Sequence, residues 1–211
     1  HETADIAIHA SLTGHLVLST LHTNDAPGAV TRLVDMGIQP YQISSTVLAI
    51  LAQRLVRRLC SHCRIPYYPT DEQLIELGLD MSRLDEQLRQ LRKVAATTVV
   101  DAGKQVGVVD TSTLGDQIEG RPRADGLVFF RHGSCEACSN NGYRGRLGIF
   151  ELMLIDEPVR REILRGSDSK TIQRVARQQG MRVLREDGAR QVIAGVTSVD
   201  EVLAATQAGE A

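Results

Sequence analysis

The sequence is poor in aromatic residues, contains no tryptophan and carries no strong charge of either sign. Aromatic residues make up 3% of its 211 residues, so its core has to be built from leucine, valine, isoleucine and alanine. The formal net charge of −2 excludes a bulk electrostatic attraction to nucleic acid or anionic lipid, and we expect no nucleic-acid partner. The longest apolar run, residues 47–52, is far shorter than the ~20 residues of a membrane span and predicts a buried helix segment at most.

Cysteine occurs only in two C-x-x-C pairs, Cys60 with Cys63 and Cys135 with Cys138. Each pair places two thiolates on one side of a tight turn, and two such pairs can close a tetrahedral shell around one Zn²⁺. Nothing resembles a signal peptide, so disulfides in an oxidising compartment are a weaker interpretation. A redox pair and four unliganded thiols are further alternatives, and a neighbouring histidine, His62 or His132, could replace one cysteine.

The first part of the chain predicts an α/β layer. Residues 2–11 have the apolar spacing of a helix, and residues 15–21 form a short apolar run typical of a parallel strand buried on both faces. A further helix is predicted over residues 25–36, with Asn24 and Asp25 as N-cap types at its start and Gly37 after it, and another from Pro40 to Leu51. Because the chain starts inside a helical pattern, we expect His1 to lie partway through a longer protein whose preceding strands complete the layer.

The rest of the chain combines the cysteine region with a helical end. Thr70 and Gln73 form a capping box, an exposed charged helix is expected over residues 82–93, and the glycine-rich stretch 94–123 predicts an insertion or loop. Strands are predicted around the second cysteine pair, over residues 127–130 and 147–154. Four helices separated by single glycines follow, over residues 157–165, 169–179, 182–194 and 198–206, the last with a capping box of Ser198 and Glu201.

Polar side chains concentrate in residues 13–26, around the apolar run. His15 opens that run and His22 follows it, next to Thr23 and Asn24. The carboxyl end of a parallel strand faces the crevice in which α/β proteins bind ligands, and an imidazole N–H there can hold a terminal phosphate or orient a water molecule. From residue type alone, a structural histidine with satisfied hydrogen bonds is the alternative.

Residues 13–24 match the His box of the secretion and pilus ATPases, T-G-H-L-V-x-x-T-L-H-T-N, at every specified position. Further matches lie at residues 32–37, 53–57 and 142–146 and at the four cysteines. The chain resembles this family of hexameric RecA-like P-loop motors over nearly its whole length except residues 80–125. Within the family it is most similar to the type II secretion ATPases, the E component of the general secretory pathway, with the type IV pilus extension ATPases as near relatives.

The resemblance implies a fold of the α/β class, the C-terminal part of a RecA-like P-loop ATPase domain. An inserted tetracysteine zinc-binding subdomain and a C-terminal helical bundle would complete it. The implied division of the chain is residues 1–58 for the ATPase core, residues 59–146 for the zinc subdomain with a long insertion at about 80–125, and residues 147–211 for the C-terminal strand and helices.

The resemblance also implies roles for individual residues. His15 and His22 would be the catalytic His-box pair, with His22 close to the γ-phosphate of ATP bound with Mg²⁺. The implied zinc ligands are Cys60, Cys63, Cys135 and Cys138. Arg54 lies in the arginine-rich run 53–58 and is a candidate for contacting the nucleotide in a ring of subunits, with a solvated charged face as the alternative.

Two departures from the family pattern affect these expectations. The sequence has no G-x-x-x-x-G-K-[ST] motif and no acidic strand end to bind Mg²⁺, so this polypeptide alone should not hydrolyse ATP appreciably. The loop between the cysteine pairs is also longer than is usual in the family, which puts the packing of the two pairs in question but not the ligands.

Two hypotheses for function result. In the first, the intact protein is an ATP hydrolase whose homo-hexameric ring powers type II secretion through pseudopilus assembly, with type IV pilus extension as the alternative. Its partners would be inner-membrane platform proteins that hold a cytoplasmic ring peripherally at the inner membrane. In the second, the chain is a zinc-dependent binding module without catalysis. The His box favours the first, because a zinc module has no use for histidines at both ends of a buried strand.

Overall fold

The computed structural model of the chain describes residues 2–79, 82, 86, 100–101, 104–105 and 118–207. Within these ranges the elements in chain order are α1 (Glu2–Leu12), α2 (Ala26–Asp35), α3 (Pro40–Thr46), β1 (Ala49–Leu59), β2 (Ile65–Tyr67), α4 (Asp71–Glu76), β3 (Val100–Asp101), β4 (Lys104–Gln105), β5 (Phe129–Arg131), a 3₁₀ turn (Glu136–Cys138), β6 (Tyr143–Leu154), α5 (Glu157–Leu164), α6 (Ser169–Gln178), α7 (Leu184–Ile193) and α8 (Val199–Gln207). Of the helices in this described part, none has both the length and the apolar character required to cross a bilayer.

The described strands form three two-stranded sheets, which pair β1 with β6, β2 with β5 and β3 with β4. The β2–β5 pair is antiparallel, with Ile65 opposite Arg131 and Tyr67 opposite Phe129. In β6, buried and exposed side chains alternate from Ile149 to Leu154, as they do in a strand with one covered face.

The chain divides into two compact units. The first comprises His1–Gln53 and Phe150–Leu184, and the second comprises Arg54–Ile149 and Arg185–Ala211. The first unit therefore holds α1, α2, α3, α5 and α6, while the second holds both cysteine pairs, α4, α8 and all but the first residue of α7. The division at residues 58 and 146 that the resemblance implies stays a prediction.

In the first unit, helices pack on helices. α3 contacts α1, α2 and α5, and α6 contacts α2 and α5. Three of these helices begin at an aspartate whose carboxylate accepts a backbone N–H from the first turn, which satisfies a donor that has no partner inside the helix. The pairs are Asp25 with Gly28 at 2.7 Å, Asp156 with Val159 at 3.2 Å and Asp168 with Thr171 at 2.7 Å.

In the second unit, a core forms between α4, β5, α7 and α8. Leu74, Leu77, Phe129, Val192 and Val202 are fully buried in it. α7 and α8 approach closely at Gly188, where a Cβ atom would lie 2.4 Å from Cγ1 of Val202.

Most predicted helices are confirmed with bounds shifted by one or two residues. The Thr70 capping box is confirmed, since Thr70 Oγ1 accepts the Gln73 N–H at 3.4 Å and Gln73 Oε1 accepts the Thr70 N–H at 3.2 Å. The last four helices are present, although they do not share one compact unit. The exposed helix predicted over residues 82–93, and most of the stretch 94–123, lie outside the described residues.

The predicted third helix is too long. α3 ends at Thr46, and residues 49–51 already belong to β1. The backbone of Val47 is extended, and Leu48 accepts a hydrogen bond from the Ile155 N–H at 3.0 Å, directly beyond the end of β6. Pairing with β6 therefore overrides the helical spacing of these apolar residues, of which Val47 and Ile50 are β-branched.

The buried parallel strand predicted over residues 15–21 is a second correction. This segment has no regular strand structure, and Leu16 and Leu18 are 77% and 90% exposed. A strand requires a neighbour that satisfies its backbone groups, and the sheets in the described part of the chain provide none here.

Candidate functional site

The two cysteine pairs come together because antiparallel strands flank them on both sides. The first pair lies between β1 and β2, and the second lies between β5 and β6. β2 pairs with β5 on one side of the cysteines. On the other side β1 pairs with β6, and the Cys60 N–H, directly after β1, donates to Gly142 O, directly before β6, at 2.9 Å. The strand ladders therefore bring together cysteines that are 75 residues apart in sequence.

Each pair forms a tight turn around its first cysteine. Cys60 O accepts the N–H groups of Cys63 and Arg64 at 3.4 and 3.1 Å, and Cys135 O accepts those of Cys138 and Asn140 at 3.3 and 2.9 Å. The second turn includes two residues with left-handed backbone angles, Ser139 and Asn140. These turns aim both thiols of a pair to one side, as the sequence pattern predicted.

The four sulfur atoms form a compact cluster. All lie within 4.8 Å of one another, and the Cys60–Cys135, Cys63–Cys138 and Cys135–Cys138 sulfur distances are 3.8, 3.8 and 3.7 Å. A tetrahedral zinc ion with Zn–S bonds of about 2.3 Å places its sulfur ligands about 3.8 Å apart. A disulfide requires about 2.05 Å, and all four thiols are free. The spacing fits a metal shell.

Neither neighbouring histidine belongs to this cluster. His62 lies exposed in the first turn, and the ring of His132 packs at 5.5 Å from that of Tyr143. The ligand set that the geometry offers is four thiols, without a histidine replacement.

The protein surroundings distribute protons unevenly over the thiols. Burial raises the pKa of Cys138, but hydrogen bonds with the backbone of Cys135 and Gly142 and with the Cys135 and Cys63 side chains together outweigh burial and bring this pKa down to about 6. Burial, together with hydrogen bonds from the other three cysteines, raises the pKa of Cys63 to about 12. A metal ion supplies the positive charge that a full set of thiolates needs, because a coordinating thiol loses its proton outright.

The His-box segment lies in the first unit, between α1 and α2. His15 Nδ1 is 2.9 Å from Thr13 Oγ1, and the Thr23 hydroxyl donates to Asp25 O at 3.1 Å. Both His15 and His22 are exposed. Neither imidazole is thus a buried core histidine.

The arginine-rich run lies in β1, and its members differ in environment. Arg54 is half-buried, in the second unit. Arg57 is bound to Glu201, whose two carboxylate oxygens accept the Arg57 backbone N–H at 2.9 Å and its Nη2 at 2.6 Å. The Arg57 guanidinium also lies over the Tyr143 ring, 4.1 Å from its centroid. Arg57 therefore has a structural role in this unit.

The capping box predicted for Ser198 and Glu201 is only half formed. The Glu201 N–H is 3.4 Å from Ser198 Oγ, as a capping box requires, but the Glu201 carboxylate binds Arg57 instead of the Ser198 backbone. One of the two bonds comes from the charged Arg57 guanidinium, which gives a stronger hydrogen bond than the neutral Ser198 backbone N–H would give.

Sequence reasoning missed Glu151. This carboxylate is 2% exposed, and it accepts hydrogen bonds from the Ala26 N–H at 2.8 Å and the Leu184 N–H at 3.3 Å. The sequence carries no signal for this role, because the other residues of 149–154 are all apolar and only the burial pattern of the folded strand shows that Glu151 faces inward.

The chain matches the family described as Type II/IV secretion system protein over residues 1–204. A type II secretion system protein E of Dickeya dadantii is 41% identical over 206 residues, which cover 98% of this chain and 32% of that protein. The type II secretion system ATPase E of Vibrio cholerae is 39% identical, with the same coverage. The type IV pilus assembly ATPase PilB of Thermus thermophilus is 37% identical over 97% of this chain and 19% of its own length. The chain thus spans a third or less of each relative.

Proposed function

Because the chain belongs to the type II/IV secretion system protein family, we propose that it is the C-terminal part of a RecA-like ATPase that powers type II protein secretion. Relatives named as secretion and as pilus ATPases both match nearly the whole chain. The higher identity of a secretion relative supports secretion over pilus extension, which is the alternative within the same chemistry.

The observation that carries the proposal is the His box in an exposed segment that leads into α2. In our proposal His22 donates an imidazole N–H to the terminal phosphate of ATP and links hydrolysis to movement of the surrounding domain. His15 acts nearer to the domain interface, and Arg54 contacts nucleotide in the ring. Mg²⁺ would neutralise the phosphates, and a P-loop outside these 211 residues would hold them. The chain alone is then inactive.

The four thiols would hold one structural Zn²⁺. A closed shell of four thiolates leaves no open position for a substrate, so the metal stabilises the fold and does not take part in hydrolysis. The sulfur–sulfur distances of 3.7 to 3.8 Å support this assignment.

The proposed assembly is a homo-hexameric ring in the cytoplasm. Inner-membrane platform proteins would hold it peripherally at the inner membrane, where ATP hydrolysis drives pseudopilus assembly and protein export. The names of the relatives, a type II secretion protein E and a type II secretion ATPase E, support this placement.

The test is the ATPase activity of the longer protein that contains this chain and a P-loop. His22→Ala is expected to lower kcat by about 100-fold or more, in the range found for lost proton-transfer or charge-stabilising groups. His9→Ala is the matched control, because His9 is also an exposed histidine of the first unit but lies on α1. Wild-type turnover in the His22→Ala protein would show that the proposed role is wrong.

A further inference from the structure

Glu151 is a buried acid at a position where the fold favours an apolar side chain. Its neighbours on the inward face of β6, Ile149 and Met153, are both fully buried. Burying a carboxylate costs free energy unless hydrogen bonds compensate for the lost water. An apolar residue here would avoid that cost, so the hydrogen bonds that Glu151 makes have to account for its presence.

Those hydrogen bonds join two helix starts. Oε1 accepts the N–H of Ala26, the first residue of α2, and Oε2 accepts the N–H of Leu184, the first residue of α7. Both groups are donors that a helix cannot satisfy internally, and the positive end of a helix dipole favours a negative charge. One carboxylate therefore joins Ala26 and Leu184, the first residues of the two helices, to Glu151 within the first unit.

The start of α2 is also the end of the His-box segment. Only three residues separate His22 from Ala26, and two local hydrogen bonds stiffen this stretch: the Thr23 hydroxyl donates to Asp25 O, and Asp25 Oδ1 accepts the Gly28 N–H. Because these bonds hold Thr23 to Asp25 and Asp25 to the first turn of α2, we expect a shift of the Ala26 N–H to displace the adjoining backbone of His22.

We propose that Glu151 is a positioning residue for His22. Its carboxylate holds the start of α2 close to residues 150–154 of β6 and to Leu184, all within the first unit, and thereby sets the place of the His22 imidazole. This inference rests on the proposed function, because it assigns Glu151 an effect only through the role of His22 in hydrolysis. The carboxylate touches no reacting atom.

Glu151→Gln in the longer ATPase tests the proposal. The amide has the same shape but a single acceptor oxygen, so its NH₂ group must face one of the two N–H donors. We expect kcat to fall by about 10- to 100-fold, as it does when a reacting group is misplaced by about 1 Å. The KM for ATP is expected to stay within about twofold, because the P-loop dominates nucleotide binding.

A double-mutant cycle with His22→Ala separates positioning from general damage. If Glu151 acts through His22, the substitution at 151 has no further effect on kcat once the imidazole is absent. An equal fold-loss in both backgrounds, or wild-type kcat in Glu151→Gln alone, would overturn the inference. Wild-type kcat in His22→Ala alone would instead overturn the proposed function.

Glu162→Gln is the matched control. Glu162 is also a glutamate of the first unit with a structural hydrogen bond, to Ser167 at 2.7 Å, but it lies on α5 and does not contact the His-box segment through that bond. We expect its kcat to be unchanged. If Glu151→Gln does not fold, Glu151→Asp is the second variant, because it keeps the negative charge on a side chain that is one methylene shorter. Its loss of kcat must likewise vanish in the His22→Ala background.

Discussion

Gly133 lies so close to the first cysteine pair that a methyl group has no room there. A Cβ atom at this position would be 2.0 Å from Cys63 O and 3.1 Å from the Cys63 carbonyl carbon. Both are backbone atoms, which cannot move aside as a flexible side chain does. Only glycine therefore lets the strand before the second pair pass the first pair at the distance that the sulfur cluster requires.

We predict that Gly133→Ala separates the two cysteine pairs. The overpacking is expected to cost about 1–3 kcal/mol of folding stability and to weaken zinc binding, because the thiols no longer meet at tetrahedral spacing. Competition with a chelator and thermal melting of the 211-residue chain measure both effects.

Gly126→Ala is the control for this substitution. Gly126 has a left-handed backbone (φ 63°) but open space where the Cβ would lie, so alanine adds conformational strain of about 1 kcal/mol without a clash. It should lower the melting temperature and leave zinc affinity unchanged. Equal zinc affinity in the two variants would contradict the packing argument for Gly133.

At the scale of secondary-structure elements, hydrogen bonds and an ion pair connect β1 to the segment before α8 and to α8 itself. The Leu59 N–H donates to Val196 O at 2.8 Å, the Thr197 hydroxyl donates to Arg57 O at 2.7 Å, and Arg57 pairs with Glu201 on α8. Two of these bonds use backbone groups of β1 beside the first cysteine pair. α8 therefore helps to hold the strand from which that pair extends.

The Arg57–Glu201 pair makes this connection pH-dependent. The hydrogen bond from Arg57 lowers the pKa of Glu201 below its usual value of 4.5, outweighing the opposing effect of burial. A carboxylate with a depressed folded pKa stabilises the fold above its unfolded pKa, and this stabilisation is lost as pH falls through the folded value. Because the Arg57 side chain is 56% exposed and water screens the pair, we expect it to stabilise the folded state by only about 1 kcal/mol at neutral pH.

We predict that Glu201→Gln removes this part of the acid sensitivity. The variant should melt lower than wild type at neutral pH, and the difference should shrink as pH falls from the ordinary glutamate value of 4.5 through the depressed pKa of Glu201. Glu157→Gln, in the first turn of α5, is a control carboxylate outside this contact. A difference in melting temperature that stays constant across this pH range would show that charge is not the cause.

What could be predicted from the sequence depends on whether the information is local. The Asp25 cap, the Thr70 box and the C-x-x-C turns are set by residues within a few positions, and all were found. The strand at residues 49–51 and the exposed state of Leu18 depend on which strands are available as partners, which periodicity does not contain. Glu151 and Glu201 bind groups more than 30 residues away, so only the fold identifies them.

At the scale of the whole chain, the two units have separate means of stabilisation. The first unit is a set of packed helices with capped starts, whereas the second unit combines the α4–β5–α7–α8 core with the cysteine cluster. Apparent zinc-binding free energies in small structural sites reach about 10–16 kcal/mol, which is comparable with the stability of an entire domain. Metal loss should therefore affect the second unit first.

We predict that removing zinc unfolds the cysteine region while leaving the helices of the first unit protected. In hydrogen exchange of the chain treated with a chelator, amides of residues 54–68 and 127–146 should lose protection, whereas those of α5 and α6 should retain it. Cys135→Ser should reproduce this pattern without a chelator, and added Zn²⁺ should restore protection only to the wild type. Stoichiometric zinc with normal melting in Cys135→Ser would refute the four-thiolate site, and simultaneous loss of protection in α5 and α6 would show that the units depend on one another.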